Sequence, residues 1–280
     1  NEIFDNPDID AIFICTPNYL NKLLTIKGLK AGKNIFCEKP PAFTALDVEE
    51  IMRVEKKSGK KLMYGFNHRH HESIQYMNNL IDSNEFGNVI WMRGRYGKSV
   101  DYSFFDTWRA KKDLAGGGIL LDQGIHMLDL FIMLGGSFDT VKADVSSHYW
   151  NLEIEDNVFA IYKNTKTGMS ASLHSTMTQW RHLFSLEVFL EKGYLVLNGL
   201  RTSSGTYGDE VLSIAKNRTT APVATWEDEK RLTFETNNSW ESEINHFIDA
   251  IKNDSPIQIG NSNDALSVMS LIDKTYENGV

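Results

Sequence analysis

Three short apolar runs near the start of the chain, each ending in a polar turn, constrain the fold more than any other feature. Asp10-Ala-Ile-Phe-Ile-Cys15 stops at Thr16-Pro17-Asn18, Asn34-Ile-Phe-Cys37 stops at Glu38-Lys39-Pro40-Pro41, and Lys61-Leu-Met-Tyr-Gly65 stops at Phe66-Asn67. Runs this short and this apolar read as strands buried on both faces. Stretches of helical spacing separate them. One spans Tyr19 to Ala31 and is closed by Gly32; the next opens on the capping box Thr44-Ala-Leu-Asp47 and runs to about Gly59. Successive parallel strands need a crossover, so strand–helix–strand units of this length predict a parallel sheet. Residues 1–66 are therefore read as part of an α/β nucleotide-binding domain, and residues 67–280 as a second, α+β domain.

The pattern changes after Phe66. A helix fits Glu72 to Ser83, and Asn88 to Gly97 is strand-like. Ile119 to Leu134 reads as an amphipathic helix. Then come strands at Asp139–Trp150, Asn157–Tyr162, Met169–Met177, Phe184–Phe189 and Tyr194–Leu197, with hairpin turns at Asn164–Gly168 and Glu191–Gly193. These predict one large open antiparallel sheet. Two helices, Trp240–Asn253 and Ser262–Asn278, follow and have the option of packing back on the first domain.

Charge and composition exclude several partners. The net charge of −8 offers no electrostatic reason to bind nucleic acid or an anionic membrane. No apolar run in the sequence approaches the roughly 20 residues that span a bilayer. The opening Asn1-Glu2-Ile3-Phe4-Asp5 does not resemble a signal peptide. The two cysteines, Cys15 and Cys37, each end an apolar run and are expected as buried free thiols, which suits the cytoplasm. The first residue is not methionine and Val280 follows a helical pattern directly, so the chain is read as a fragment.

Three constellations carry chemistry. Glu38-Lys39-Pro40 follows a strand, and ligands of open parallel sheets bind at the carboxyl ends of strands. A lysine there donates to a substrate hydroxyl or stabilises developing negative charge; the plainer reading is a solvated lysine in a proline-rich turn. In Gly116-Gly-Gly-Ile-Leu-Leu-Asp122-Gln-Gly-Ile-His126 three glycines precede a helix, and Asp122 and His126 share a face at i and i+4. A carboxylate and an imidazole one turn apart suit proton transfer from a hydroxyl; the plainer reading is a buried, satisfied histidine. Thr16-Pro17-Asn18 is a turn by itself, but with the other two strand ends it defines one crevice. A zinc site built from His68, His70, His71, His126 and Asp122 is not expected, because His68-Arg69-His70-His71 matches no common ligand spacing.

In this order, Asp10–Asn18, Ala31–Pro40, Gly65-Phe-Asn-His-Arg69 and Gly116–His126 resemble the glucose–fructose oxidoreductase / inositol dehydrogenase (Gfo/Idh/MocA) family along essentially the whole chain. The resemblance implies a truncated Rossmann-type parallel sheet followed by an α+β domain whose open antiparallel sheet makes a homodimer or homotetramer. It implies an NAD- or NADP-dependent dehydrogenase acting on CH–OH groups of a sugar, cyclitol or nucleotide-sugar. Lys39, Asp122 and His126 become the catalytic group, with His126 as base. Thr16, Pro17, Asn18, Glu38, Lys39 and Asn67 become cofactor contacts, and Arg69, Trp108 and Arg109 substrate contacts. A lyase or glycosidase using transient oxidation, and a non-catalytic sugar-binding relative, are the alternatives. Two departures stand out. Asn21 occupies a position where the family often has histidine. No Gly-x-Gly-x-x-Gly is present, which by the size of two βα units implies about 60 missing residues, including the acidic residue that separates NAD from NADP.

Overall fold

A computed structural model describes residues 2–216 and 224–279 of the chain. The predicted parallel sheet is present as β1 (Ala11–Ile14), β2 (Asn34–Glu38) and β3 (Leu62–Gly65), in that order. Ile14 pairs with Cys37 and Cys37 with Tyr64, so the three carboxyl ends lie side by side. A single turn, α1 (Glu2–Asp5), precedes β1, and the crossovers are α2 (Asn21–Lys30) and α3 (Ala45–Ser58). The capping box of α3 forms as predicted: Asp47 N donates to Thr44 Oγ1 and Thr44 N donates to Asp47 Oδ2, each at 3.2 Å. Gly59, at φ 64°, closes the helix in the left-handed region that favours glycine. Cys37 is buried, as expected, and burial pushes its thiol up to about 12. Cys15 is not. It lies one residue beyond β1, where the chain has left the sheet, and is exposed.

The second sheet has eight strands: β4 (Val89–Ser99), β5 (Thr140–Ser146), β6 (Asn157–Lys163), β7 (Ser170–Thr176), β8 (Thr178–Leu190), β9 (Gly193–Asn198), β10 (Glu210–Lys216) and β11 (Lys230–Phe234). Their order is β11-β10-β9-β8-β4-β7-β6-β5. The expectation of an antiparallel sheet holds for every pair but one, since β4 and β7 run parallel. Strands β10 and β11 were not anticipated. One face of the sheet, with Met92, Tyr96, Leu186, Val188, Leu195, Leu197 and Leu212, is buried beneath α4 (Glu72–Asp82) and α6 (Ile125–Gly135). The other face leaves Phe159 and Ile161 more than half exposed, at 52% and 58%.

The helix expected to be amphipathic over Ile119–Leu134 is instead buried around nearly its whole circumference. It begins with a π-helical turn, Leu120–Gly124, after a short α5 (Lys112–Ala115). Sheet lies on one side of it and α8 (Ser262–Glu277) on the other. By length and composition Lys112–Gly135 could cross a bilayer, contrary to the expectation of no such run, but most of it is buried inside the fold. The remaining helix, α7 (Ser239–Lys252), docks Phe247 against Phe36 and Met63 of the parallel sheet.

Candidate active site

The carboxyl ends of the parallel strands form one wall of a cleft of about 390 Å³. Lys39 follows β2 directly and donates through Nζ to the main-chain oxygen of Asp122; its distance to Asp122 Oδ1 is 3.5 Å. Lys98, near the end of β4, donates to the other carboxylate oxygen, Oδ2. Arg109 Nε lies 3.9 Å from Oδ1, and its guanidinium is stacked over Trp108 at 4.3 Å. Burial works to raise the Asp122 pKa, but Lys98, Lys39 and Arg109 outweigh it and hold the carboxyl well below its ordinary range. Burial lowers the Lys39 pKa, as do Lys98 and Arg109, against the pull of Asp122 and Glu38. Burial raises the carboxyl of Glu38.

A remote carboxylate builds the turn that presents Asp122. Glu155 accepts from Gly118 N at 2.8 Å and Leu120 N at 2.9 Å, and its own carbonyl accepts from Ile119 N at 3.1 Å. It thereby satisfies the orphan donors at the start of the helix. Tyr276 donates to the same carboxylate at 2.9 Å. The three glycines are what admit this segment, because a Cβ on Gly118 would come within 2.0 Å of the Glu155 oxygen.

His126 is not among the residues that line the cleft. Its ring stacks on His68 at 3.9 Å, it is 6% exposed, and its Nδ1 has no hydrogen-bond partner. Burial, then Lys39 and His71, depress its pKa well below the ordinary value, so it is neutral at physiological pH. His68 is held by Tyr96 OH at 3.0 Å and by Asn67 Oδ1 at 2.9 Å.

Of the residues singled out in the sequence, Thr16, Pro17, Asn18, Glu38, Lys39, Trp108, Arg109 and Asp122 all line the cleft, joined by Cys15 and Trp240. Asn67 is turned to His68 instead. Arg69, expected at the substrate, is elsewhere. It is 5% exposed, bidentate to Asp129 at 2.6 and 2.7 Å, and 3.0 Å from Asp264, so it is engaged in the core. Asn21 is fully buried and donates to Glu38 O at 3.2 Å and Pro40 O at 2.8 Å; it ties down the lysine-bearing turn. Lys98 was missed, because nothing local distinguishes one lysine in a strand from another. Among the described residues no group of three or more His, Cys, Asp or Glu is arranged to hold a metal ion.

A parallel sheet whose strand ends carry a lysine-bearing cleft, followed by a large open sheet, is a mixed α/β architecture. Residues 1–66 match the oxidoreductase-family NAD-binding Rossmann fold, and residues 74–196 match the GFO/IDH/MocA C-terminal domain. The chain belongs to the GFO/IDH/MocA oxidoreductase family. It is 33% identical over 147 residues to levoglucosan dehydrogenase of Pseudarthrobacter phenanthrenivorans, a match covering 52% of this chain and 38% of that enzyme. It is 27% identical over 261 residues to 1,5-anhydro-D-fructose reductase of Ensifer adhaerens, covering 90% of this chain and 72% of the relative. The solved complex of a levoglucosan dehydrogenase with NADH and levoglucosan shares the fold, with a TM-score of 0.84 at 22% identity over 99% of this chain and 79% of that one.

Proposed function

We propose that this chain carries the reaction centre of an NAD(P)-dependent oxidoreductase that oxidises or reduces the CH–OH or keto carbon of a sugar, cyclitol or nucleotide-sugar. One observation carries the reading: the Lys39 ammonium, at the carboxyl end of β2, is held in the cleft by both the main-chain oxygen and the carboxylate of Asp122. The relatives' names, levoglucosan dehydrogenase and 1,5-anhydro-D-fructose reductase, support the substrate class.

The residues present fit the nicotinamide end of the cofactor. Pro17, Trp108 and Trp240 supply flat walls, and Gly65 keeps room for the Glu38 carboxylate, whose Oε2 a Cβ there would meet at 2.8 Å. NAD and NADP share that end, so these contacts accept either. The bound nicotinamide supplies the carbon that takes or returns a hydride. Lys39 hydrogen-bonds the reacting oxygen and opposes its developing charge. Asp122 keeps Lys39 in place, and His126, held neutral, takes the hydroxyl proton. Thr16, Pro17, Asn18 and Glu38 are the cofactor side of the cleft, and Trp108 and Arg109 its substrate side.

Residues 1–66 are the cofactor domain and residues 67–280 the substrate and assembly domain, joined as a homodimer or homotetramer through the open sheet. The exposed free thiol of Cys15 favours a reducing compartment, the cytoplasm. The test is steady-state rate across pH in the intact protein. Lys39→Ala and His126→Ala should each lower turnover by about 10²–10⁴-fold, and His126→Ala should also remove a limb of the pH–rate profile. Cofactor titration by fluorescence should still show binding in both. An unchanged profile in His126→Ala would move the base role to Lys39.

A further inference from the structure

A base that takes a hydroxyl proton must hold its ring in one orientation. The Nδ1 of His126 is buried without a hydrogen-bond partner, so what orients this imidazole is a face. His68, on the 3₁₀ turn Asn67–His70, lies against it with ring centroids 3.9 Å apart and planes 13° from parallel. His68 is buried and is itself held at both nitrogens. Asn67 Oδ1, an acceptor, lies 2.9 Å from Nδ1, so Nδ1 carries the proton and Nε2 accepts from Tyr96 OH at 3.0 Å. The Tyr96 hydroxyl is bonded in turn to Tyr207, and Tyr207 accepts from Gln123 Nε2. This chain starts on the residue after Asp122, runs through the ring stacked on His126 and ends on Asn67, two residues beyond β3. Its members polarise one another in a buried setting, which stiffens the whole.

Resting on the function proposed above, we infer that His68, pinned by Asn67 and Tyr96, is the positioning residue for His126: its ring face sets the plane of the base and keeps water from it. Rings stacked face to face aim no N–H at each other, so His68 positions the base and does not relay its proton. The other groups that bear on His126 are Lys39, beyond β2, and His71, beside the same turn. Tyr96 of β4 lies 6.3 Å from it between ring centroids. The remaining charged groups nearby are engaged elsewhere: Asp122 with Lys39 and Lys98, Asp129 and Asp264 with Arg69, Asp273 with the Ala45 amide and Tyr276 with Glu155. His174 of β7 stacks on Phe159 on the outer face. Burial is the largest cause of the depressed His126 pKa, so removing the stack admits water and favours the imidazolium.

The experiment follows the imidazoles of the intact, histidine-labelled protein by NMR across pH, with the His126 signal assigned by its loss in His126→Ala. Turnover is read separately, as NADH formation from NAD with glucose, levoglucosan or myo-inositol. His68→Ala should move the His126 titration up towards the ordinary 6.5 and carry the acid limb of the pH–rate profile to higher pH with it. It should also lower turnover by about 10–100-fold, the cost of a misplaced base, with KM nearly unchanged. His68→Phe keeps a flat ring and drops both hydrogen bonds; it should restore the wild-type titration and most of the turnover. If His68→Ala does not fold, Tyr96→Phe decides: it leaves the His68 ring in place but unpinned, and should lower turnover by about 2–10-fold, the worth of one hydrogen bond. A His126 titration identical in wild type and His68→Ala, a His68→Phe protein no different from His68→Ala, or wild-type turnover in Tyr96→Phe would each overturn the inference. Full turnover with an unchanged pH profile in His126→Ala would instead sink the base reading, and the titration, which needs no substrate, would still decide whether His68 governs the ring.

Discussion

Arg69 is divided between Asp129, which is 1% exposed, and Asp264, and is itself buried. Removing it strands a buried carboxylate. Arg69→Met should therefore cost about 3–5 kcal/mol of stability, with the loss appearing in urea unfolding and not as a selective rise in KM; a selective rise in KM at unchanged stability would return Arg69 to the substrate. Glu243 is the opposite case, a carboxyl fully buried on α7 with no hydrogen-bond partner for either oxygen. Burial, then Glu38 and Asp129, push it up to about 9, so it is neutral at pH 7. A carboxyl raised in the folded state contributes stability that is complete below its ordinary value of 4.5 and is lost as pH rises towards 9. Unfolding free energy should fall across that window, and Glu243→Gln should flatten the slope; parallel slopes for the two proteins would show that Glu243 does not titrate there. At this scale the sequence discloses residues whose chemistry is announced by local position. Lys39 is one, standing at a strand end, and Asp122 another, following a glycine run. Arg69 and Lys98 were misread or missed because their partners lie far along the chain, and distant pairing leaves no local mark.

Helix α6 and the turn before it owe their geometry to a segment far away in sequence. Glu155 caps Gly118 and Leu120, and Tyr276 of α8 anchors Glu155 in turn. Gly118→Ala would drive a methyl group into the Glu155 backbone. The expected cost is about 1–3 kcal/mol of stability, accompanied by lower turnover, since the displaced turn carries Asp122 and with it the brace on Lys39. Thermal unfolding and steady-state rates measured together decide it: a stable, fully active Gly118→Ala protein would mean the turn tolerates the displacement. Periodicity made most elements legible, from the three parallel strands to the capping box of α3. It failed where tertiary context decided the outcome. The apolar residues around α6 suggested one face, whereas the helix is enclosed on nearly all sides. The parallel pairing of β4 with β7 joins strands far apart in sequence, so no turn signal announces it. Strand β10 alternates as a strand should, but its polar first residue, the buried Glu210, disguised it.

Among the described residues, one face of the open sheet is not covered by helices. On the outer side of the open sheet, Phe159 stacks on His174 at 3.8 Å and Trp91 on Phe189 at 5.2 Å, while Ile161 stands 58% exposed. Arg93, paired with Glu187 at 2.7 Å, lies between the two aromatic pairs and helps line a largely apolar hollow of about 540 Å³. A sheet normally buries both faces or makes the outer one polar, and this one mixes charged residues with exposed apolar ones. A second copy of the same face would supply both apolar area and matching ion pairs, and two-fold symmetry is the simplest way to bring it there. The intact protein should therefore be a dimer, or a tetramer built from such dimers, by light scattering at micromolar concentration. In an isologous contact each substitution acts twice, so Phe159→Glu with Ile161→Lys should release monomers while leaving urea stability of the subunit nearly intact. Neither residue belongs to the Lys39–Asp122 cluster, so turnover per subunit should persist in the separated protein. A wild type that remained monomeric, or a double variant with the assembly unchanged, would show that this face serves some other contact.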